Sequence, residues 1–278
     1  MDLNWVQSMG YGFLSGLTDI LPVSAQAHKV LLLKFLGVRG NVNLLELLIH
    51  LGILAGMYYS CQSQIIRINR ARALARVPKK KRKRPLDTRT LMDWSMLKTI
   101  AVPVILGLLL YRYTETIRGN MLLISLFLFL NGIVLYIPQF LPSSNRDSRT
   151  LSRVEGLLMG LGGAASILPG ISGIGAATSI GSVCGVERSY GLNMALMMSM
   201  ILTVGMVVYD ILAISSVGMG TVSLVILLQY LLSAVCAFAG TLLGIRLMRQ
   251  FAAGDGYAPF GVYCWGMALF TFILNLIA

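Results

Sequence analysis

Asp19 is a carboxylate among apolar neighbours, within Ser15-Gly-Leu-Thr-Asp19-Ile-Leu-Pro22-Val-Ser24-Ala25-Gln26-Ala27-His28. An ionisable group in such surroundings is costly to keep there and marks a functional site by default. Glu46 is a second such carboxylate, and His50 follows at the spacing that puts two side chains on one helix face. The plainer reading of Glu46 is a capping or snorkelling carboxylate near a membrane interface. His28 closes the first motif, either as a proton-transfer group or as a donor to a carbonyl where the segment ends. A different chemistry is written in Pro169-Gly170-Ile171-Ser172-Gly173-Ile174-Gly175, followed by Ala176-Ala177-Thr178. A glycine-rich turn entering a helix presents free backbone donors, and helix N-termini attract anions. This is the best phosphate cradle in the chain, and its plainer reading is a flexible break with no ligand.

Both motifs sit in apolar segments that are broken. Tyr11–Leu36 is interrupted at Leu21-Pro22-Val23-Ser24, and Val154–Val186 at Leu168-Pro169-Gly170-Ile171-Ser172. Proline removes a backbone donor and disfavours helix at the residue before it. Each half has roughly 16 residues or fewer, too short to cross a bilayer core at ~1.5 Å per residue. The two segments therefore read as re-entrant helical hairpins with tips near the midplane, where freed carbonyls are buried in protein or line a watery cavity. Six other runs approach spanning length: Leu44–Tyr59, Leu97–Tyr111, Met121–Ile137, Leu192–Ile214, Val222–Leu247 and Phe260–Ile277. Charged residues make up only 12% of the 278 and hydrophobic ones 56%. A soluble domain carries about twice that charge fraction, so the expected class is all-α integral membrane.

The formal charge of +12 would suit a nucleic-acid binder if it were spread over a surface. Instead, 12 of the 23 basic residues fall between Arg67 and Lys98, including the run Lys79–Arg84. Lying between two spans, this reads as a cytoplasmic loop held against anionic lipid, with no nucleic-acid partner. Basic residues favour the cytoplasm. With that loop inside, 18 basic residues fall inside and five (Lys29, Lys34, Arg39, Arg112 and Arg118) outside, with both termini outside. The layout gives two halves of opposite orientation, 1–140 and 141–278, each a hairpin followed by three spans. Glycine pairs precede both breaks, Gly12/Gly16 and Gly156/Gly160, and Ile-Leu-Pro marks both. Inverted repeats with broken helices at the midplane are a transporter signature.

Cys61, Cys184, Cys236 and Cys264 show no paired spacing and read as small apolar residues. Two histidines, His28 and His50, are too few for a histidine-based metal site. Gly10–Val23 before Ala25-Gln26-Ala27 imitates a cleaved signal, but Asp2 and Asp19 and the lack of an early basic residue argue for retention.

The order of segments and both motifs resemble the bacterial undecaprenyl-pyrophosphate phosphatases, the bacitracin-resistance family. The family's first motif runs E-G-x-T-E-F-L-P-V-S-S-T-G-H and its second P-G-x-S-R-S-G-x-T. Gly16, Leu17, Thr18, Leu21, Pro22, Val23, Ser24 and His28 match, as do Glu46, Leu51 and Gly52 beyond the first motif. Pro169, Gly170, Ser172 and Gly175 match the second motif, and Arg188 fits the G-x-x-R that follows it. The departures are Ser15 and Asp19 for the two glutamates, Ala25 for the second serine, and Gln26-Ala27 for Thr-Gly. Gly173 stands where the family has a phosphate-binding arginine, and Ala177 where it has threonine, with Thr178 adjacent.

The resemblance implies a multi-pass bacterial plasma-membrane protein that removes a phosphate from undecaprenyl diphosphate in carrier-lipid recycling. On that reading Asp19 and Glu46 hold a divalent cation (Mg or Ca), and His28 is the base or nucleophile. Phosphate would lie against Ser24, Gly170, Ser172, Gly173, Gly175 and Thr178. Losing a transition-state charge clamp costs orders of magnitude in rate. The competing class is therefore a non-catalytic flippase or binder of undecaprenyl phosphate that uses the same hairpins as gates. A homodimer is a candidate assembly on either reading.

Overall fold

A computed structural model describes residues 3–38, 40–142, 144–219, 222–254 and 256–277; these are helical, with no sheet among them. The helices are α1 (Trp5–Ile20), α2 (Ala25–Phe35), α3 (Asn43–Arg76), α4 (Thr88–Leu110), α5 (Glu115–Arg118), α6 (Met121–Tyr136), α7 (Arg153–Ala164), α8 (Gly173–Val183), α9 (Arg188–Val217), α10 (Leu224–Ala253) and α11 (Ala258–Ile277). Six are long and apolar enough to span a bilayer: α3, α4, α6, α9, α10 and α11, with α4 and α6 extended by 3-10 turns to Thr114 and Phe140. Multi-pass membrane insertion follows. Large apolar side chains such as Leu106, Leu109, Val235 and Leu269 point outward, as lipid solvation demands and water would not favour. Arg39, which enters the charge count above, and both chain ends, whose side was expected from it, lie outside the described residues.

Local sequence sets the helix starts. Asn4 with Gln7 and Ser152 with Glu155 form capping boxes, and Asp87, Asn120, Glu187 and Ser223 cap α4, α6, α9 and α10 through side-chain oxygens. The breaks fall where the prolines put them. Helix α1 stops at Ile20, before Leu21-Pro22, and α7 gives way to a short 3-10 turn before Leu168-Pro169. At 16, 11, 12 and 11 residues, α1, α2, α7 and α8 are each shorter than the roughly 20 residues a span needs.

The glycine pairs explain how the broken segments dock. A Cβ on Gly12 or Gly16 would lie 2.2 or 2.0 Å from the carbonyl oxygens of Ser233 and Ala237, so α1 touches the α10 backbone directly. The seam is closed by hydroxyls: Ser8 Oγ is 2.7 Å from Ser233 Oγ. Across the molecule, a Cβ on Gly160 of α7 would lie 2.4 Å from the Ile100 oxygen of α4. Helix α1 thus packs on α10 as α7 packs on α4, while α3 meets α9 and α6 meets α11. Pairing helices by order in the two halves, these contacts are counterparts, as two repeats of either relative orientation would give.

The basic stretch is less of a loop than its composition suggests. Helix α3 runs 34 residues to Arg76 and α4 begins at Thr88, leaving only 77–87 between them, with a 3-10 turn at Lys79–Lys81. At 1.5 Å per residue α3 is about 50 Å long, well beyond a ~30 Å hydrocarbon core, so its arginine-bearing end projects from the membrane. Arg72 lies 4.1 Å from the Trp94 ring centroid, tying that end to α4. All four cysteines are free thiols.

Candidate functional site

The two breaks meet. Asn131 of α6, fully buried, donates from Nδ2 to the Pro22 carbonyl at 2.9 Å and accepts the Ser172 N–H at 2.9 Å. One amide side chain thus satisfies a carbonyl freed by the first break and a donor freed by the second. Ser24 makes the second clasp. It is the only non-glycine among the described residues with positive φ (68°), and its Oγ accepts the Gly170 N–H at 2.9 Å. Such a backbone is strained for serine and persists only where its surroundings hold it. Gly170 itself has φ 120°, and a Cβ there would lie 2.5 Å from Phe127 Cβ. Gln26 Nε2 adds a bond to the Ser166 carbonyl at 3.1 Å.

Beside this junction lies a cavity of about 370 Å³. Its ionisable lining comprises three carboxylates (Asp19, Glu46 and Asp210), two cations (Lys29 and Arg118) and His50. Lys29 Nζ is 2.5 Å from Glu46 Oε2 and 3.1 Å from His50 Nε2. His50 Nδ1 is 2.5 Å from Asp210 Oδ2, and the Tyr11 hydroxyl donates to Glu46 Oε1. Asp19 lines the same cavity but makes no hydrogen bond to a described residue. His50 is therefore oriented from behind by a carboxylate, with Nε2 turned to the cavity. That is how a histidine is fixed in one tautomer for proton transfer.

The glycine-rich turn supplies the opposite wall. Ser172 caps α8, its Oγ accepting the Gly175 N–H at 3.2 Å. Gly173 and Ile174, the first two helical residues, line the cavity. Their N–H groups have no partner within a helix, as for any first turn, and none among the described side chains. Arg118 completes this side, its Cζ 4.0 Å from the Tyr111 ring centroid.

Of the expected site residues, Asp19, Glu46, Ser172 and Gly173 share the cavity, and Ser24 and Gly170 form the clasp beside it. Gly175 and Thr178 stand behind it: Gly175 abuts Pro22, and the Thr178 hydroxyl donates to the Ile174 and Gly175 carbonyls. His28 is placed elsewhere. Its Nδ1 is 2.9 Å from the Ser24 carbonyl, its Nε2 is 2.8 Å from the Tyr263 hydroxyl, and the ring stacks on Tyr263. It faces an apolar groove lined by Leu14, Leu31, Phe270 and Leu274, which shares Lys29 with the cavity.

The bacitracin resistance protein BacA family model matches residues 8–270. The chain belongs to that family. Among similar proteins, an undecaprenyl-diphosphatase of Methanobrevibacter smithii is 27% identical over 274 residues, covering 96% of each chain. Undecaprenyl-diphosphatases of Desulforapulum autotrophicum and a Nocardioides species are each 24% identical, over 98% of this chain and 99% and 97% of theirs. For a BacA family member, the two motifs are thus apposed at their breaks, with the surviving carboxylates on one wall and the α8 N-terminus on the other.

Sequence reasoning missed Tyr11, Lys29, Arg118, Asn131 and Asp210. Asp210 was detectable, as the only Asp, Glu, Lys, Arg or His within Leu192–Ile214. Asn131 carried no such signal, because a lone amide in an apolar helix gives no hint of which backbone groups it will meet.

Proposed function

We propose that this protein is an undecaprenyl-diphosphatase-like enzyme that handles the diphosphate of a polyprenyl carrier lipid in the cavity between the hairpins. The observation that carries the reading is the convergence of Asp19, Glu46 and the free amides of Gly173 and Ile174 on one cavity in a chain of this family. The α8 N-terminus receives the phosphoryl oxygens, where amide dipoles favour negative charge. The Ser172 hydroxyl, whose oxygen already accepts from Gly175, has its proton free to donate there. Lys29 turns from Glu46 to the diphosphate. That releases His50 Nε2 to take a proton from the attacking water, while Asp210 holds the imidazolium that forms. The role assigned to His28 by resemblance thus passes to His50. The apolar groove beside Lys29 offers the prenyl chain a path toward lipid.

The proposal includes a divalent cation, Mg or Ca. No three His, Cys, Asp or Glu side chains among the described residues group as an all-protein metal centre. The lining nevertheless carries one more carboxylate than cations before any phosphate enters. Asp19 and Glu46 fit a cation that is shared with substrate oxygens, the usual habit of Mg. Such an ion would neutralise phosphoryl charge. The environment we propose is a plasma membrane, with the cavity on the outer side, both termini outside and the Lys79–Arg84 region against anionic headgroups on the inside. Phosphate release from undecaprenyl diphosphate by purified protein, with Asp19→Ala as control, tests the activity.

A second reading, a flippase or binder for undecaprenyl phosphate, is favoured by one observation. A Cβ on Gly173 would lie 2.9 Å from the Gly163 oxygen and Ser166 Cβ, so the motif's arginine has no room there as the turn stands. Saturable binding of undecaprenyl phosphate without hydrolysis would decide for it.

A further inference from the structure

The second motif lacks its arginine at Gly173, yet a guanidinium reaches the same cavity from a different element. Arg118 sits on α5, after the 3-10 turn Tyr111–Thr114 that ends α4, a region neither motif includes. Its Nε and Nη2 are buried and have no hydrogen-bond partner among the described residues. Buried guanidinium N–H groups left unpaired are costly, which makes an empty pair of this kind a pointer to an absent anion. Carboxylates on the lining do not take them. Glu46 is held by Lys29 and Tyr11, Asp210 by His50, and Asp19 forms no ion pair with Arg118.

The arginine is also held in place before any ligand arrives. Its guanidinium rests on the Tyr111 ring, whose centroid is 4.9 Å from that of Tyr209. Tyr209 is fixed in turn by its hydroxyl bond to the Leu108 carbonyl at 2.8 Å, and Thr114 Oγ1 closes the turn on the Tyr111 carbonyl at 2.7 Å. A guanidinium fixed on a stacked aromatic shelf in the cavity wall, with two N–H groups buried and unpaired, suits two oxygens of one phosphoryl group better than a mobile ammonium does.

We propose that Arg118 is the phosphate clamp of this site, supplying from α5 the charge-assisted hold that Gly173 cannot. This rests on the diphosphate reading above. Arg118 would grip one phosphoryl group while the α8 amides opposite hold the other, so that a monophosphate engages only one of the two and a diphosphate is favoured.

The test uses the full-length protein purified in detergent, with farnesyl diphosphate, farnesyl monophosphate, farnesol and inorganic pyrophosphate as probes in equilibrium binding. Arg118→Gln should weaken farnesyl diphosphate binding at least about 10-fold and narrow the preference for diphosphate over monophosphate. Farnesol binding and thermal stability should be unchanged, and Arg118→Lys should recover part of the loss. Unchanged diphosphate affinity in a folded Arg118→Gln protein would overturn the clamp while leaving the diphosphate reading intact, as would an equal loss for all three farnesyl probes. Wild-type protein that prefers neither farnesyl phosphate over farnesol would instead sink the diphosphate reading. The pyrophosphate arm then decides for Arg118 alone: weaker binding in Arg118→Gln upholds an anion clamp, and equal or absent binding removes it.

Discussion

Replacing Asn131 by leucine removes the α6 side chain that bonds to both helix breaks. Leucine has nearly the same size, so no cavity opens, but it neither donates nor accepts. The Pro22 carbonyl and the Ser172 N–H, each bonded to Asn131 at 2.9 Å, are left unsatisfied in a fully buried place. Each such orphan costs about 1–3 kcal/mol, for a total of roughly 2–6 kcal/mol. Cys264 Sγ, 3.7 Å from the Pro22 oxygen, is a weak substitute donor and places the expected loss toward the lower half of that range. The corresponding fall in Tm is about 5–15 °C for a chain of this size. Displacing the α8 N-terminus from Asp19 and Glu46 by an ångström costs function as well, on the order of 100-fold in turnover. Scanning fluorimetry of purified Asn131→Leu protein, alongside phosphate release, measures both. Wild-type melting and wild-type turnover in this variant would refute the view that the Asn131 amide helps couple the two breaks.

Three further outcomes follow from the same structure. Gly16→Ala places a Cβ 2.0 Å from the Ala237 oxygen and should force α1 from α10, costing about 1–3 kcal/mol or more, whereas Gly10→Ala, with nothing within 4 Å, should be tolerated; comparable melting of the two would contradict the packing. Asp210→Asn keeps the size but loses the charge behind His50, so hydrolysis should drop by about two orders of magnitude with farnesyl diphosphate affinity retained, and equal turnover would remove His50 as the base. Asp147, in the connection before α7, is held below the usual carboxylate range by the hydrogen bonds from the Arg149 side chain and backbone, with Arg89 and Arg149 charges nearby. A depressed folded pKa stabilises above the unfolded value and is lost as pH falls through the folded one, so its contribution should decline progressively as pH falls below about 4, and Asp147→Asn should flatten melting against pH in that acid range.

Much of the architecture was legible because a membrane imposes few solutions. The six long apolar helices, the interruptions at Leu21-Pro22 and Leu168-Pro169, and the glycine pairs all follow from spanning length, proline chemistry and close helix approach. The basic segment was only partly legible: composition marks it as lying outside the apolar core of a span, but not that α3 stays helical to Arg76, since arginine, alanine and leucine are good helix formers outside the bilayer too. The site was legible at Asp19, Glu46, Ser172 and Gly173, where an ion in apolar sequence or a glycine-rich turn announces itself. It was not legible at His28, because successive side chains on a helix point roughly 100° apart, and only the three-dimensional structure shows Lys29 turned to Glu46 and His28 to Tyr263. Arg118 and Asn131 lie in segments remote from both motifs, and their relevance exists only through contacts made across the fold.

The central claim is that the surviving carboxylates and the α8 N-terminus form a working diphosphate site. Its most direct measurement is inorganic phosphate release from undecaprenyl diphosphate by purified protein, with and without added Mg or Ca, for wild type, Asp19→Ala and Glu46→Gln. The account predicts cation-dependent release by wild type that falls at least about 100-fold in both variants. Release that is absent from folded wild type, or that persists undiminished in both variants, would contradict it.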